Sequence, residues 1–267
     1  MAGAGTSKGM VCVPSVRIVG PGRAGSSLAD ALAAAGWDVA PAVGRADAPG
    51  GAAAGVDVCV VAVPDRRIAD VARAIDPVPT TVVAHLAGSM GADVLAPHPR
   101  RAAIHPLASL PDACRGAATL SAGVWWAVDG DPGVLSLIAD LHGRVVEVPP
   151  DARAAYHAAA CIAANHVVAL LAQVERVAAG AGLPAAPFYD LAAGALANAR
   201  AGGAPGALTG PAARGDHATI AAHLAAIGPG EADLYTALAA AAAALAGRPA
   251  PDRPGAATSI GELAACR

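Results

Sequence analysis

Short apolar runs alternate with helical stretches through the first half of the chain, and the alternation stops at Pro149-Pro150. Val16 to Gly20 is apolar, β-branched and closed by glycine. A helical pattern then runs from Ala24 to Ala35, with Leu28 and Leu32 one turn apart and Gly36 as its stop. Asp38 to Val43 reads as the next strand. Val58 to Val63 is the clearest buried strand, continuous and stopped by Pro64. A helix over Arg66–Ile75 and a strand over Thr80–Leu86 follow. Ala102–His105, Val124–Val128 and Arg144–Val148 are shorter strands, with a helix between Pro132 and Leu141. Apolar strands interleaved with helices predict an α/β fold whose mainly parallel sheet is doubly wound, covered on both faces.

Beyond Pro150 the pattern is helical throughout. From Arg153 to Ala179 no residue breaks a helix, which at 1.5 Å per residue makes a rod of about 40 Å. Pro187–Arg200, Asp216–Ile227 and Glu231–Ala246 read as further helices. The expected organisation is a loose N-terminus (1–14), an α/β domain (15–149), an all-α domain (150–247) and a proline-rich tail (248–267).

Composition narrows the class. Gly and Pro together make 31 + 22 = 53 of 267 residues, about a fifth, which is too few for a low-complexity chain. Five scattered cysteines make no disulfide framework. A net charge of -3 offers no basic surface to a nucleic acid. Residues 1–13 lack the pattern of a secretory signal, and Leu234–Ala246, taken as the longest low-polarity stretch, is too short for a bilayer span. The expectation is a cytoplasmic protein with reduced cysteines and no membrane partner.

Gly20-Pro21-Gly22-Arg23-Ala24-Gly25 fits G-x-G-x-x-G directly after a strand and at the opening of a helix. In a Rossmann domain the first glycine permits the tight turn and the second lets backbone approach a pyrophosphate. The third lets the helix pack close to the strand. The helix N-terminus would hold the phosphates. At the end of the second predicted strand, Arg45 is placed to pair with the 2′-phosphate of NADP(H). Asp47, two residues on, is the competing partner for an NAD ribose.

The run Val19–Gly25, Ala62-Val63-Pro64-Asp65, His85-Leu86-Ala87-Gly88 and Ile104-His105-Pro106-Leu107 resembles a bacterial two-domain family. Its first half is Rossmann-like and its second half is known as a domain of unknown function (DUF2520). Tyr156–Ala160, Ala164-Asn165-His166 and Ala207–Asp216 extend the resemblance to roughly residues 15–246. More distantly the layout is similar to ketopantoate reductases, pyrroline-5-carboxylate reductases and the 6-phosphogluconate dehydrogenase group. Those relatives imply NADP-linked hydride transfer, a helical domain closing over the nicotinamide, and a homodimer formed through that domain.

The chain departs from ketopantoate reductases where their proton-donating lysine precedes a helix asparagine by four residues. Here that spacing is Cys161 to Asn165, and Lys8 is the one lysine in the sequence. His157, Cys161 and Asn165, spaced i, i+4, i+8, would share a helix face. His157 could donate a proton and Asn165 orient a substrate heteroatom, or both could be structural. Cys161 reads as packing. His105, before Pro106, resembles the His-Pro turn of prephenate dehydrogenases. Strand ends face the ligand crevice in such sheets, so His85 and His105 are candidates beside the nicotinamide, with loop roles as the alternative. Ser109 is a possible substrate contact. Thr209 and Arg214 lie in a polar loop where the guanidinium could clamp a carboxylate, unless Asp216 merely caps the next helix. The remaining histidines form no metal-ligand spacing.

The function expected is therefore reduction of a small, carboxylate-bearing carbonyl or imine by NADP(H). Cofactor contacts would come from Gly20–Gly25, Arg45, Val63, Pro64, Leu86, Ala87, Gly88 and Ser89, and catalysis from His157, Asn165 and His105. His85, Ser109, Thr209 and Arg214 would hold the substrate. An NADP(H)-binding sensor without turnover is the alternative.

Overall fold

The computed structural model describes residues 13–251. Within them the chain divides into two compact units between Ala164 and Asn165. The loose segments expected at residues 1–12 and 252–267 lie outside the described residues.

The first unit opens with β1 (Ser15–Val19), α1 (Arg23–Ala34) and β2 (Asp38–Val43), followed by β3 (Val58–Val61), α2 (Ile68–Ala74) and β4 (Val82–His85). It continues with β5 (Arg101–Pro106), α3 (Ala113–Ser121), β6 (Trp125–Gly130), α4 (Leu135–Asp140) and β7 (Arg144–Glu147), then α5 (Arg153–Cys161). The seven strands form one sheet in the order β2-β1-β3-β4-β5-β6-β7. The first five are parallel; β6 runs antiparallel to β5, pairing His105 with Ala127, and β7 is parallel to β6. Successive side chains of a strand point to opposite faces, and here both faces are buried. Val58 and Val60 join a cluster with Ile18, Leu28, Ile104 and Trp126, while Cys59 and Val61 join another with Ile68, Ile75 and Leu95.

α1 and α3 pack closely because both contact points are small. Ser27 Oγ, fully buried, donates to the Arg23 carbonyl at 2.7 Å, and a β-carbon on Gly116 would fall 2.0 Å from it. α3 was not expected from the sequence, because its run of small residues includes a glycine and Leu120 is its one large apolar side chain.

The long helix expected from Arg153 to Ala179 is interrupted. Ile162–His166 forms a π segment between α5 and α6 (Val167–Gly180). Its first turns belong to the α/β unit, since Arg153 is buried there and lies 3.6 Å from Asp129, so the compact unit extends beyond the expected end at residue 149. The expectation that Leu234–Ala246 is the longest low-polarity stretch is also corrected. Residues Pro150–Gly180, the π segment included, are helical throughout and are long and apolar enough to cross a membrane by length and composition. Their polar residues are few among alanines, valines and leucines.

The second unit continues from α6 with α7 (Ala186–Ala207), α8 (Pro211–Arg214), α9 (His217–Ala226) and α10 (Pro229–Leu245). α7 is kinked at Gly203, whose φ is 76°. Gln173 and Arg176 of α6 hold Glu231 at the start of α10, the guanidinium by two contacts of 2.5 and 3.0 Å. Asp216 caps α9 by accepting the Thr219 N–H at 3.0 Å.

Candidate functional site

Each glycine of the first turn has a distinct mechanical role. Gly20 has φ 97°, and a β-carbon there would meet the Ala62 carbonyl at 2.7 Å. At Gly25 a β-carbon would lie 2.3 Å from the Gly20 carbonyl and 3.0 Å from Ile18, so α1 sits as close to β1 as a bare backbone permits. Gly22 has nothing within 4 Å, leaving its backbone open to an approaching ligand. It is the N-cap of α1 and provides no side-chain acceptor. The first-turn N–H groups, led by those of Arg23 and Ala24, therefore remain available to an anion.

This turn faces a cavity of about 600 Å³ lined by Gly20, Pro21, Gly22, Arg45, Val63 and Pro64 among others. The same cavity takes in Arg66 and Arg67, exposed residues just after β3 that the sequence reading missed. Asp47 also lines it, but its Oδ2 accepts the Gly44 N–H at 2.7 Å, so the carboxylate is engaged in its own loop. A dinucleotide with a pyrophosphate fits such a pocket, and three guanidinium groups suit an additional phosphate.

The turn after β4 is not part of that cavity lining. Leu86, Ala87, Gly88 and Ser89 make up this turn, and Ser89 Oγ donates to Asp65 Oδ2 at 2.7 Å. His85 requires a correction. It is fully buried, its Nδ1 accepts the Ala87 N–H at 3.1 Å, and its Nε2 donates to the Gly91 carbonyl at 3.1 Å. Burial holds its pKa below the ordinary 6.5. Both ring nitrogens are taken, so His85 shapes the loop and has none left for substrate.

His105 and His157 come together at the C-terminal end of β5. Their ring centroids are 6.0 Å apart, with interplanar angle 68°. The approach depends on Gly88: a β-carbon there would be 2.7 Å from His157 Nδ1 and 2.8 Å from the His105 ring. Tyr156, which the sequence reading did not single out, places its hydroxyl 2.5 Å from His105 Nδ1. Burial, then the neighbouring His157, pulls the His105 pKa down to about 4, and burial pushes Tyr156 up to about 12. At neutral pH both are uncharged.

His157 is half-buried. Nδ1 is buried without a hydrogen-bond partner, and Nε2 lies 3.6 Å from Cys161 Sγ. The i, i+4 spacing thus brings Cys161 to His157, as helix geometry requires. Asn165 lies inside the π segment, where the 3.6-residue phase behind the i+8 expectation no longer applies, and it is exposed. Ser109 is exposed four residues beyond His105. Thr209 and Arg214 are exposed in the second unit, where Asp216 performs the capping role.

Residues 125–242 match the family model for the Domain of unknown function (DUF2520). The DUF2520 segment takes in Tyr156, His157 and Asn165; the glycine turn and His105 precede it. Among solved structures, the chain is similar to BF3122 of Bacteroides fragilis, named as a candidate NADP oxidoreductase. That match has 18% identity over 87% of this chain and 98% of that one, with TM-score 0.73. TM1727 of Thermotoga maritima is 24% identical over 87% of this chain and 98% of its own, with TM-score 0.67. An imine reductase of Myxococcus stipitatus, solved with NADP+, is 17% identical over 86% and 92%, with TM-score 0.60. At these identities the likeness is one of fold. Among curated proteins, none matches the chain in sequence.

Proposed function

We propose that this chain is an NADP(H)-dependent oxidoreductase that reduces a small carbonyl or imine compound bearing a carboxylate. One observation carries the reading: an uncapped helix N-terminus behind Gly22 opens into the same cavity as Arg45, Arg66 and Arg67. The first suits a pyrophosphate, and the arginines suit the 2′-phosphate that distinguishes NADP from NAD. The names of the Bacteroides and Myxococcus proteins support a nicotinamide cofactor. Bound in reduced form, it would supply the hydride. His105 and His157 are the residues assigned to the reacting end of the α/β unit. The roles of Asn165, Thr209 and Arg214 rest on their spacing and side-chain chemistry in the sequence.

Calorimetric titration with NADPH and, separately, NADH tests this. NADPH-selective binding is expected, and binding of neither overturns the reading. A binder without turnover is the second reading, favoured by the buried, unpartnered Nδ1 of His157. His105→Gln separates the two: as an enzyme the variant loses turnover while retaining NADPH affinity.

The same reading includes a homodimer through the helical unit. Val168, Leu191 and Leu196, which are 66%, 70% and 70% exposed, are the apolar side chains such a dimer would cover.

A further inference from the structure

Tyr156 and His105 are 51 residues apart in sequence, yet they form the shortest polar contact at this end of the sheet, Oη to Nδ1 at 2.5 Å. The rings meet edge to face, with centroids 5.8 Å apart. Which atom donates follows from the partners available. Among the described residues the Tyr156 hydroxyl hydrogen has no acceptor other than His105 Nδ1. At 2.5 Å the contact is shorter than an N–H donor ordinarily gives and falls in the range of an O–H donor. Tyr156 therefore donates, Nδ1 accepts, and a neutral imidazole must carry its proton on Nε2. His105 Nε2 has no protein partner and is not among the enclosed polar atoms, so this N–H faces accessible space.

A ring N–H seeks a lone pair. Carbonyl oxygen offers one; an iminium nitrogen has spent its own in bonding and adds a positive charge. The surrounding charges act in the same direction. Arg153, 4% exposed and one helical turn before Tyr156, has no hydrogen-bonded acceptor for any guanidinium nitrogen, its nearest carboxylate being Asp129 at 3.6 Å. The other titratable groups acting on His105 are His157, His85 and, with opposite sign, Asp65.

We infer that Tyr156 fixes His105 as its Nε2–H tautomer, and that this site takes a substrate whose reacting group is an uncharged carbonyl rather than an iminium cation. Tyr156 is here a positioning residue, and the substrate half of the inference rests on the oxidoreductase reading above. In the reduction the carbonyl carbon gains the hydride and its π pair moves to oxygen. The oxygen, held by the Nε2–H, takes its proton from solvent, leaving an alcohol and the oxidised cofactor.

The test is long-range proton–nitrogen NMR of the ¹⁵N-labelled full chain at neutral pH, with His105 assigned by loss of its signals in His105→Gln. The wild type should show an unprotonated Nδ1 and a protonated Nε2, and Tyr156→Phe should mix the tautomers. An Nδ1–H form in the wild type, or an unchanged tautomer in Tyr156→Phe, overturns the role of Tyr156. With NADP+ present, pyruvate or cyclopentanone should shift the Nε2 resonance and N-methylpyrrolinium should not. A shift with the cation, or none with either carbonyl, overturns the substrate half. Failure of the oxidoreductase reading would appear separately, as absent NADPH binding, and would leave the tautomer result standing.

Discussion

Gly88 lies so close to His157 that a β-carbon on it would stand 2.7 Å from the buried Nδ1. Gly88→Ala must therefore displace one or both imidazoles. We expect a loss of about 1–3 kcal/mol, the usual cost of overpacking, measured by urea unfolding, together with broadening of the His105 and His157 ring signals.

Gly22 and Gly25 separate binding from folding. Gly22→Ala meets nothing within 4 Å and has φ -81°, so the fold should tolerate it. The added methyl would nevertheless stand where a pyrophosphate approaches. Unchanged melting with NADPH affinity reduced at least about tenfold is expected, the equivalent of one lost charge-assisted hydrogen bond. Gly25→Ala should instead lower the melting temperature, because it meets the Gly20 carbonyl at 2.3 Å.

Arg45, Arg66 and Arg67 share the cavity. Replacing Arg45 by alanine should weaken NADPH about tenfold or more and leave NADH nearly unchanged. An equal loss for both cofactors would remove the 2′-phosphate assignment. Arg66→Ala and Arg67→Ala, measured likewise, would show how the three divide the task.

Acid should unfold the protein partly through His105. Its pKa is about 4 in the fold against 6.5 unfolded, so between those values the unfolded chain binds the extra proton. Stability from this group is complete above pH 6.5 and is lost as pH falls towards 4. The buried His85, also lowered, acts with the same sign. Urea midpoints across that window should fall less steeply in His105→Gln than in the wild type.

The proposed dimer has its own test. Leu191→Glu with Leu196→Glu would set charges on two of the most exposed apolar positions of α7. Light scattering should give a dimer for the wild type and a monomer for the double variant; a monomeric wild type ends the proposal.

The parallel core was legible because Val58–Val61 and its neighbours are β-branched runs that only a doubly covered sheet can bury. Reversal of β6 was not, since α3 rather than a tight turn joins it to β5, and no turn chemistry announces the change of direction. The glycine turn could be read residue by residue, because each glycine answers a local constraint. Arg66 and Arg67 could not, because they reach the cavity through the β2-β1-β3 order, a property of the assembled sheet. Tyr156 was visible within a motif, but its partner is set by where α5 lies along β5. The π segment has no marker in a run of alanines, isoleucine and asparagine.

The reversed strand also creates a vernier between helix and sheet. Asp129 pairs with Ala103, and His105 lies two strand residues further on, about 7 Å at 3.3 Å per residue. Arg153, beside Asp129, is four helical residues before His157, about 6 Å at 1.5 Å per residue. Two rulers of different pitch thus coincide at both marks, salt bridge and imidazole pair. The interval from Arg153 to His157 is consequently quantised: one residue added or removed within it would keep one mark only by losing the other.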